Sequence, residues 1–420
     1  MNYRRSSIIT SIVIILGILF FLIQKGVASE FEFTNSISLS ESYDDNIYLE
    51  TANEKEDFLT SISPGFILSY ITQKTNLKAA YNPELQFYAN NPDRDEINHN
   101  ANIGFNGRLT RKITVMVVDN LVFMPAQDVI GREVGARSYA SDQLNNNLNA
   151  TLSYQMFRYT NLRFGTSYRF VDYEMHYLED NYEYNCGMGF DHELTGSDIL
   201  SFNYNFRKLL FDWENDTDIH SINIGERHEF AKGLILSISG GIELIDEEDG
   251  ESKRDWSAGL SITKNFRRTN IGVVYNRNVS ASEGIGGTSI NQTIALNGKR
   301  QFTKKLNSDF TLFFSTEDSV IGYNIDNEDY GLILTATYGF TDNLKGAIGC
   351  SYIDQSSYGQ EGADTESYRG KIGVLYLIHP LFNAFFSYNY YQQNILGQGE
   401  EVESDIVSNL LTVGIQFIWL

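Results

Sequence analysis

Six histidines, His99, His176, His192, His220, His228 and His379, are the first residues to test for chemistry. None sits in an H-E-x-x-H or comparable ligand spacing. His192 precedes Glu193 beside a turn, and His176 lies among acids in MHYLEDN; a rim position and a solvated loop account for them. EGIGGTS (283–289) is glycine-rich but lacks the Lys-Ser/Thr of a phosphate loop, and strand-like sequence flanks it, so it predicts a hairpin loop. Asp44-Asp45-Asn46 sets three oxygen-bearing side chains in a row. Such a run can coordinate Ca²⁺, but an Asx-rich turn closing a strand is the simpler expectation, because Asp and Asn bond their own backbone. The sequence therefore predicts no catalytic residue, no firm metal site and no cofactor.

The elements that must position these residues are strands. Leu144, Leu148, Ala150, Leu152, Tyr154 and Met156 share one face, and Asn145, Asn147, Asn149, Thr151, Ser153 and Gln155 the other. The same alternation runs through 77–88, 200–207, 330–340 and 368–376, and it reaches the chain end in SNLLTVGIQFIWL (408–420). Period two over such lengths means strands, because successive side chains point to opposite faces. Their connections alternate in kind. Short ones lean basic, at Lys74, Arg111-Lys112, Arg158, Lys232, Arg267-Arg268 and Lys304-Lys305, with TGSD at 195 and TDN at 341 as exceptions. Longer ones are acidic, as in WENDTD and DEEDGESKRD. That is the pattern of an up-and-down antiparallel β-barrel with tight turns at one rim and loops at the other. About 20 strands (16 to 22) are expected, with both ends on one rim. Only alternation repeats, with no further motif.

A soluble sandwich also alternates, with one face in a core. Some twenty apolar faces would demand a very large core, and the opposite faces are Ser, Asn, Thr, Gly and Gln with few charges. A water-filled lumen fits them better. The terminal strand then closes against the first, its apolar face in lipid and Phe417 and Trp419 at the inner aromatic girdle. The N-terminus, with Arg4-Arg5, an apolar run from Ile8 to Ile23 and Val27-Ala28-Ser29, reads as a signal peptide over 1–29, with a retained anchor helix as the alternative, leaving 30–420 as the outer-membrane barrel of a Gram-negative bacterium. No plug is expected before the first strand. A net charge of -22 argues against nucleic acid as a partner. Cys186 and Cys350 fall on apolar strand faces, as buried or lipid-facing thiols.

The first third carries more specific residues: ESYDDNIYLE (41–50), DFLTSISPGFILSY (57–70), LKAAYNPELQFYANN (77–91) and RDEINHNANIGF (94–105). These resemble the β-barrel porin family found beside exopolysaccharide and PEP-CTERM-type surface loci in Gram-negative bacteria. The matching positions are Tyr43, Asp44, Asp45, Asn46, Pro64, Gly65, Tyr81 and His99. The resemblance covers roughly residues 31 to 110. It implies an outer-membrane barrel with a role in polysaccharide export or surface biogenesis, and no catalytic residues.

Parity assigns the lumen face. Its candidates are Asn82, Glu84 and Gln86; Asn102, Asn106 and Arg108; Asn147, Arg163 and Arg169; Asn203, Asn205 and Arg207; and Lys371. Amides dominate, and an amide both donates and accepts, which suits hydroxyl-rich solutes. The expected function is a pore or exporter component for polar carbohydrate. The alternatives are a structural or adhesive surface barrel without an open channel and, third, a barrel-embedded hydrolase. Expected partners are outer-membrane lipid and lipopolysaccharide, the barrel-assembly machinery, polysaccharide and export-locus proteins. Ca²⁺ or Mg²⁺ bridging to lipid phosphate, through Asp44, Asp45, Asp246, Glu247, Glu248 or Asp249, is the weaker alternative to plainly solvated loops.

Overall fold

Alternating sequence becomes a closed wall here because each strand pairs with both its neighbours. The structure, a computed structural model, describes residues 30–419 except 125–141, 174–177, 214, 249, 251, 282–286, 322–325, 359–363 and 397–401. The expected leader, His176, Asp249 and most of EGIGGTS lie outside the described residues. The strands in chain order are β1 (Glu30–Asp44), β2 (Asp57–Ile71), β3 (Thr75–Tyr81), β4 (Glu84–Tyr88), β5 (Glu96–Asn98), β6 (Asn100–Arg108), β7 (Ile113–Met124) and β8 (Gln143–Phe157). There follow β9 (Thr160–Tyr173), β10 (Asn181–Glu193), β11 (Asp198–Phe211), β12 (Thr217–Ala231), β13 (Leu234–Glu247), β14 (Lys253–Asn265) and β15 (Thr269–Ala281). The last are β16 (Thr288–Gln301), β17 (Leu306–Ile321), β18 (Asp326–Gly339), β19 (Leu344–Tyr358), β20 (Asp364–His379), β21 (Phe382–Leu396) and β22 (Val402–Trp419).

Every pairing is antiparallel, and β22 pairs back onto β1, with Asn35 opposite Trp419 and Asp44 opposite Leu410. β3 and β4 are two halves of one wall position, both paired with β2. Their break at Asn82-Pro83 matches the break between β5 and β6, and the Asn82 N–H donates to Asn100 O across it (2.8 Å). The result is a closed 20-strand antiparallel barrel. Twenty strands about 4.8 Å apart and tilted about 40° close a ring roughly 40 Å across, too wide for wall side chains to fill.

The two faces separate as the alternation requires. Leu152, Phe164 and Met188 lie directly opposite one another on β8, β9 and β10, and all three are exposed. Val413 and Ile415 on β22 continue the same face. Phe417 and Trp419 complete it with ring centroids 5.5 Å apart. Cys186 and Cys350 are free and exposed on this face. The opposite face is concave, since Arg207 on β11 reaches the carbonyl of Val279 on β15 (2.7 Å), four strands away. No helix of the described residues is long and apolar enough to cross a membrane, a fact that says nothing of a barrel.

The short turns carry a repeat beyond the alternation expected. Thr72, Thr110, Thr195, Thr303 and Thr341 each follow an apolar residue, and each hydroxyl accepts the N–H groups two and three residues on, at 2.9–3.3 Å. A Thr at this place offers the turn's orphan donors an acceptor within the chain. TGSD and TDN, exceptions by charge, obey this rule.

The facing has a direct consequence. Leu152→Arg or Leu334→Arg should cost about 2–4 kcal/mol in folding into lipid vesicles if the site lies near the midplane, while Asn147→Arg and Thr335→Arg should cost far less. Urea unfolding of the four variants reads this, and equal losses in both pairs would reverse the facing.

Candidate functional site

Side chains of the concave face form the candidate site, and β8 to β11 carry its densest polar patch. Asn149 donates to Asn147 Oδ1 (2.6 Å). Arg163 binds Asp191 with two nitrogens, Nε to Oδ2 at 2.6 Å and Nη2 to Oδ1 at 2.8 Å, and Nη2 also reaches Asn203 Oδ1 (3.2 Å). Ser201 adds a donor to the same carboxylate (2.7 Å). Gly187 keeps the wall low, since a Cβ there would meet Asn205 Oδ1 at 2.1 Å. The patch lines a shallow cavity of about 190 Å³ containing Asn149, Arg163, Asn203 and Asn205. Asp191 and Ser201 join the polar patch through Arg163, although neither was among the lumen candidates. Their signal was parity, which sets both opposite each other on the concave face.

The other lumen candidates are spread around the wall. Asn102 donates to Asn120 across β6 and β7. Asn82 lies beside Gly65, where a Cβ would meet Ser36 Oγ at 2.3 Å and Asn82 Oδ1 at 2.9 Å. Gln86 and Glu84 follow on β4; Asn106 and Arg108 approach the short-turn rim on β6. Arg169 shares the face of Arg163 on β9, and Arg207 pairs with Glu243 on β13 (3.4 Å). Lys371, on β20, stands between Gly349 and Asn389, a different part of the wall.

The residues on which the expected porin-family resemblance rests sit at two joints. Asp44, Asp45 and Asn46 join the first strand to the last. The Asn46 N–H donates to Asp44 Oδ1 (2.9 Å), as does Ser408 Oγ (3.1 Å), while Asn409 donates to both oxygens of Asp45 (2.7 Å each). Asn46 Nδ2 donates to Val407 O (2.9 Å). These oxygens are employed in closure, the turn arrangement. Tyr43 packs its ring on Phe58, centroids 5.2 Å apart. At the second joint the Tyr81 hydroxyl meets His99 Nδ1 (3.0 Å) beside the break in β3–β4 and β5–β6. Pro64 pairs with Ile37 one residue from Gly65. Among the described residues no three His, Cys, Asp or Glu side chains are grouped to hold a metal ion. Asp246 and Glu247 end β13, and Glu247 Oε1 accepts from Asn215 (3.3 Å).

One arrangement departs from simple parity. β14 and β15 pair only as far as Ala258 opposite Arg277, so Lys253 to Ser257 have no partner on β15. Beyond Arg277 the tip of β15 leaves the wall and lies over the inner face of β11–β13. Glu243 Oε2 accepts the Val279 N–H (3.0 Å), and Arg207 donates to the Val279 carbonyl. Val279, with Ala281, Ile290 and Val320 from the tips of β15, β16 and β17, packs on Leu209, Phe211, Ile219 and Ile245. These tip residues continue the apolar stripe that faces outward lower down, as at Ile271, Ile294 and Leu312. Here the stripe covers an apolar patch inside the mouth instead. Arg277 seals the parted seam: it donates to the Trp256 carbonyl, lies 4.1 Å from the Trp256 ring centroid and pairs with Asp255 (2.9 Å). At the first joint, Arg94 donates to Ile47 O (2.7 Å) and ties the 89–95 connection to the 45–56 connection.

No family model matches this chain, and no curated protein matches it. Solved structures do. The siderophore receptor PirA of Pseudomonas aeruginosa aligns at a TM-score of 0.53 and 10% identity, over 94% of this chain and 81% of that one. The FrpB iron transporter of Neisseria meningitidis aligns at 0.51 and 9%, over 92% and 81%. The ferric enterobactin receptor PfeA of P. aeruginosa aligns at 0.50 and 9%, over 94% and 81%. At such identities the likeness is one of fold: this chain has the fold of outer-membrane β-barrels.

Glu243 holds the tip through a charge-assisted bond, a class worth about 1.5–3 kcal/mol. Glu243→Ala should therefore speed amide exchange at Val279 by about tenfold or more, with Val273 in the paired part of β15 unchanged. Hydrogen-exchange mass spectrometry of the barrel in detergent reads both; equal protection at Val279 in both proteins would show that the tip is held otherwise.

Proposed function

We propose that the chain is an outer-membrane pore or exporter component for polar carbohydrate in a Gram-negative bacterium, acting in exopolysaccharide export or surface biogenesis. The observation that carries this is the composition of the concave wall. Along β8 to β11 it presents Asn145, Asn147, Asn149, Asn203 and Asn205 with Ser, Thr and Gly between them, opposite a face of exposed apolar side chains. Amides in a wide lumen exchange hydrogen bonds with passing hydroxyl groups without holding them by charge. The resemblance over residues 31 to 110 supports the polysaccharide assignment, and the barrel fold supports the membrane assignment. Lipid and lipopolysaccharide would meet the outward face, and the assembly machinery the terminal strand. No catalytic step is proposed.

A second reading, a surface barrel without an open channel, is favoured by one observation: the tips of β15–β17 pack over the inner face of β11–β13 inside the mouth and narrow it. In the pore reading those tips are a constriction that opens when the contacts of Val279 are released.

Single-channel recording in a planar bilayer separates the two. The expected outcome is steady conductance for the intact protein and a larger conductance for Glu243→Ala. A barrel silent in both forms would reject the pore.

A further inference from the structure

The short-turn rim is basic in an acidic chain. Its nine connections, from 72–74 to 380–381, hold nine bases and one acid, Asp342. The bases crowd where the turns 266–268 and 302–305 join β14 to β15 and β16 to β17. Arg267, Arg268, Lys304 and Lys305 stand in these two turns, and all four are exposed. Lys264, Lys299 and Arg300 follow within three residues of them at the strand ends. The acid on this stretch of rim, Asp309, pairs with Lys299 (3.4 Å). The next acids along the rim are Glu229 at the end of β12, whose Oε1 accepts the Gly233 N–H (3.3 Å), and Asp342 beyond β18. Six positive charges therefore share the rim of four neighbouring strands.

Two of the six lie on the outward face and not in the turns. Lys264 is two residues from Ile262 and opposite Ile271, both exposed, and Arg300 is on the parity of the exposed Ile294. Each lies over an exposed ring at the rim, Lys264 Nζ 5.6 Å from the Phe266 centroid and the Arg300 guanidinium 4.8 Å from that of Phe302. The Lys264 ammonium also donates to Lys232 O (3.4 Å), and that of Lys305 to Phe340 O (3.0 Å), so both heads stand at the level of the turn backbone. Aromatic rings on the outward face of a barrel mark the level of the lipid headgroups. A cation carried on such a ring has its stem against the apolar layer and its charge among the phosphates. A guanidinium matches two phosphate oxygens with parallel N–H donors. A partner in the water beyond the turns would meet Arg267, Arg268, Lys304 and Lys305 but leave Lys264 and Arg300, on the lipid side, unmet.

We propose that the short-turn rim of β14–β17 is a binding site for the headgroup of an acidic phospholipid. Lys264 and Arg300 meet its phosphodiester from the barrel side, Arg267, Arg268, Lys304 and Lys305 from the water side, and Phe266 and Phe302 lie along the start of its acyl chains. Short turns of an outer-membrane barrel stand at the periplasmic leaflet, so the occupant is a phospholipid and not lipopolysaccharide. A cluster of this many bases beside an apolar layer is the arrangement that selects anionic over zwitterionic lipid. The inference rests on the membrane assignment and holds for a conducting or a silent barrel alike.

The test uses the full-length barrel in vesicles of phosphatidylcholine and phosphatidylglycerol, one of the two lipids brominated so that it quenches a neighbouring tryptophan. One reporter protein carries Phe302→Trp with Trp213→Phe, Trp256→Phe and Trp419→Phe. A second keeps Trp419 as its single tryptophan, in a sector whose nearest turn, 380–381, has no Lys or Arg. Phosphatidylglycerol should be favoured about threefold or more at position 302 and not at Trp419, and added salt should reduce the preference. The triple substitution Arg268→Gln, Arg300→Gln and Lys304→Gln should abolish it. Equal quenching by both lipids at position 302, the same preference at Trp419, or a preference that survives the triple substitution would overturn the site. Binding of decaglutamate to the solubilised barrel, lost in the triple variant and without any lipid preference, would overturn the lipid and assign the surface to an acidic protein segment. Should the tryptophan replacements prevent folding, native mass spectrometry of the otherwise unaltered barrel, with and without the triple substitution, decides the same question by the ratio of retained lipids. Conductance enters none of these readings, so the pore and the lipid site stand or fall separately.

Discussion

The structure depends on one constraint: a wall that meets hydrocarbon must satisfy every backbone N–H and C=O within itself. Joining β1 to β22 meets it, with ten residue pairs from Asn35–Trp419 to Asp44–Leu410. Closure fixes the rest. An even number of wall positions brings both described ends to the short-turn rim, and the alternation of side chains then sorts apolar residues outward and amides inward at every strand. Even the break at Asn82-Pro83 is repaired across the wall, by a bond to Asn100.

Where the backbone ladder ends, side chains take over its work. Arg277 serves the Trp256 carbonyl that β15 abandons, and Glu243 serves the Val279 N–H that β14 no longer reaches. Asp45 receives Asn409 at the seam of first and last strands. Asp57 accepts the Asn90 N–H (3.0 Å), the Asn90 amide (3.0 Å) and the Asn91 amide (2.7 Å) where the 89–95 connection begins. Such bonds occur at the loop rim, where charged acceptors are tolerated because water and loops supply what the ladder does not. They also make the mouth, and not the middle of the barrel, the part whose shape can change without opening the wall.

Charge follows the same geometry. Acids gather in the long connections and, within the strands, stand on both faces, as at Asp354 outside and at Asp191 and Glu243 inside; bases gather in the short turns and at selected inner positions. On β9 and β11 the inner bases Arg163 and Arg207 pair with Asp191 and Glu243 and hold the wall and the β15 tip in place. One strand pattern thus yields a structural use of Arg at Arg163 and Arg207, and a solvent-facing use of Lys at Lys371.

Strand type, strand number, facing and rims were legible in the sequence, because each rests on a local rule. Period two reads the faces, turn chemistry reads the connections, and closure follows from an apolar strand such as Leu411–Trp419 at the chain end. The Thr turns at Thr72, Thr110, Thr195, Thr303 and Thr341 rest on a local rule too, an apolar residue followed by Thr, which is independent of the turns' charge. The lumen side of Asn147, Asn203 and Lys371 came from the same parity. What parity could not reveal is that Val279, Ile290 and Val320, three more residues in an outward stripe, turn inward to cover Leu209 and Ile219. Nor could it show that Asp44 and Asp45 bind residues some 360 positions away. The sequence by itself determined which face of each strand is apolar, since that is a matter of neighbours one and two residues apart. Only the tertiary structure decided what each face meets, since bending a strand tip over the inner face of β11–β13 depends on contacts between strands apart in the chain.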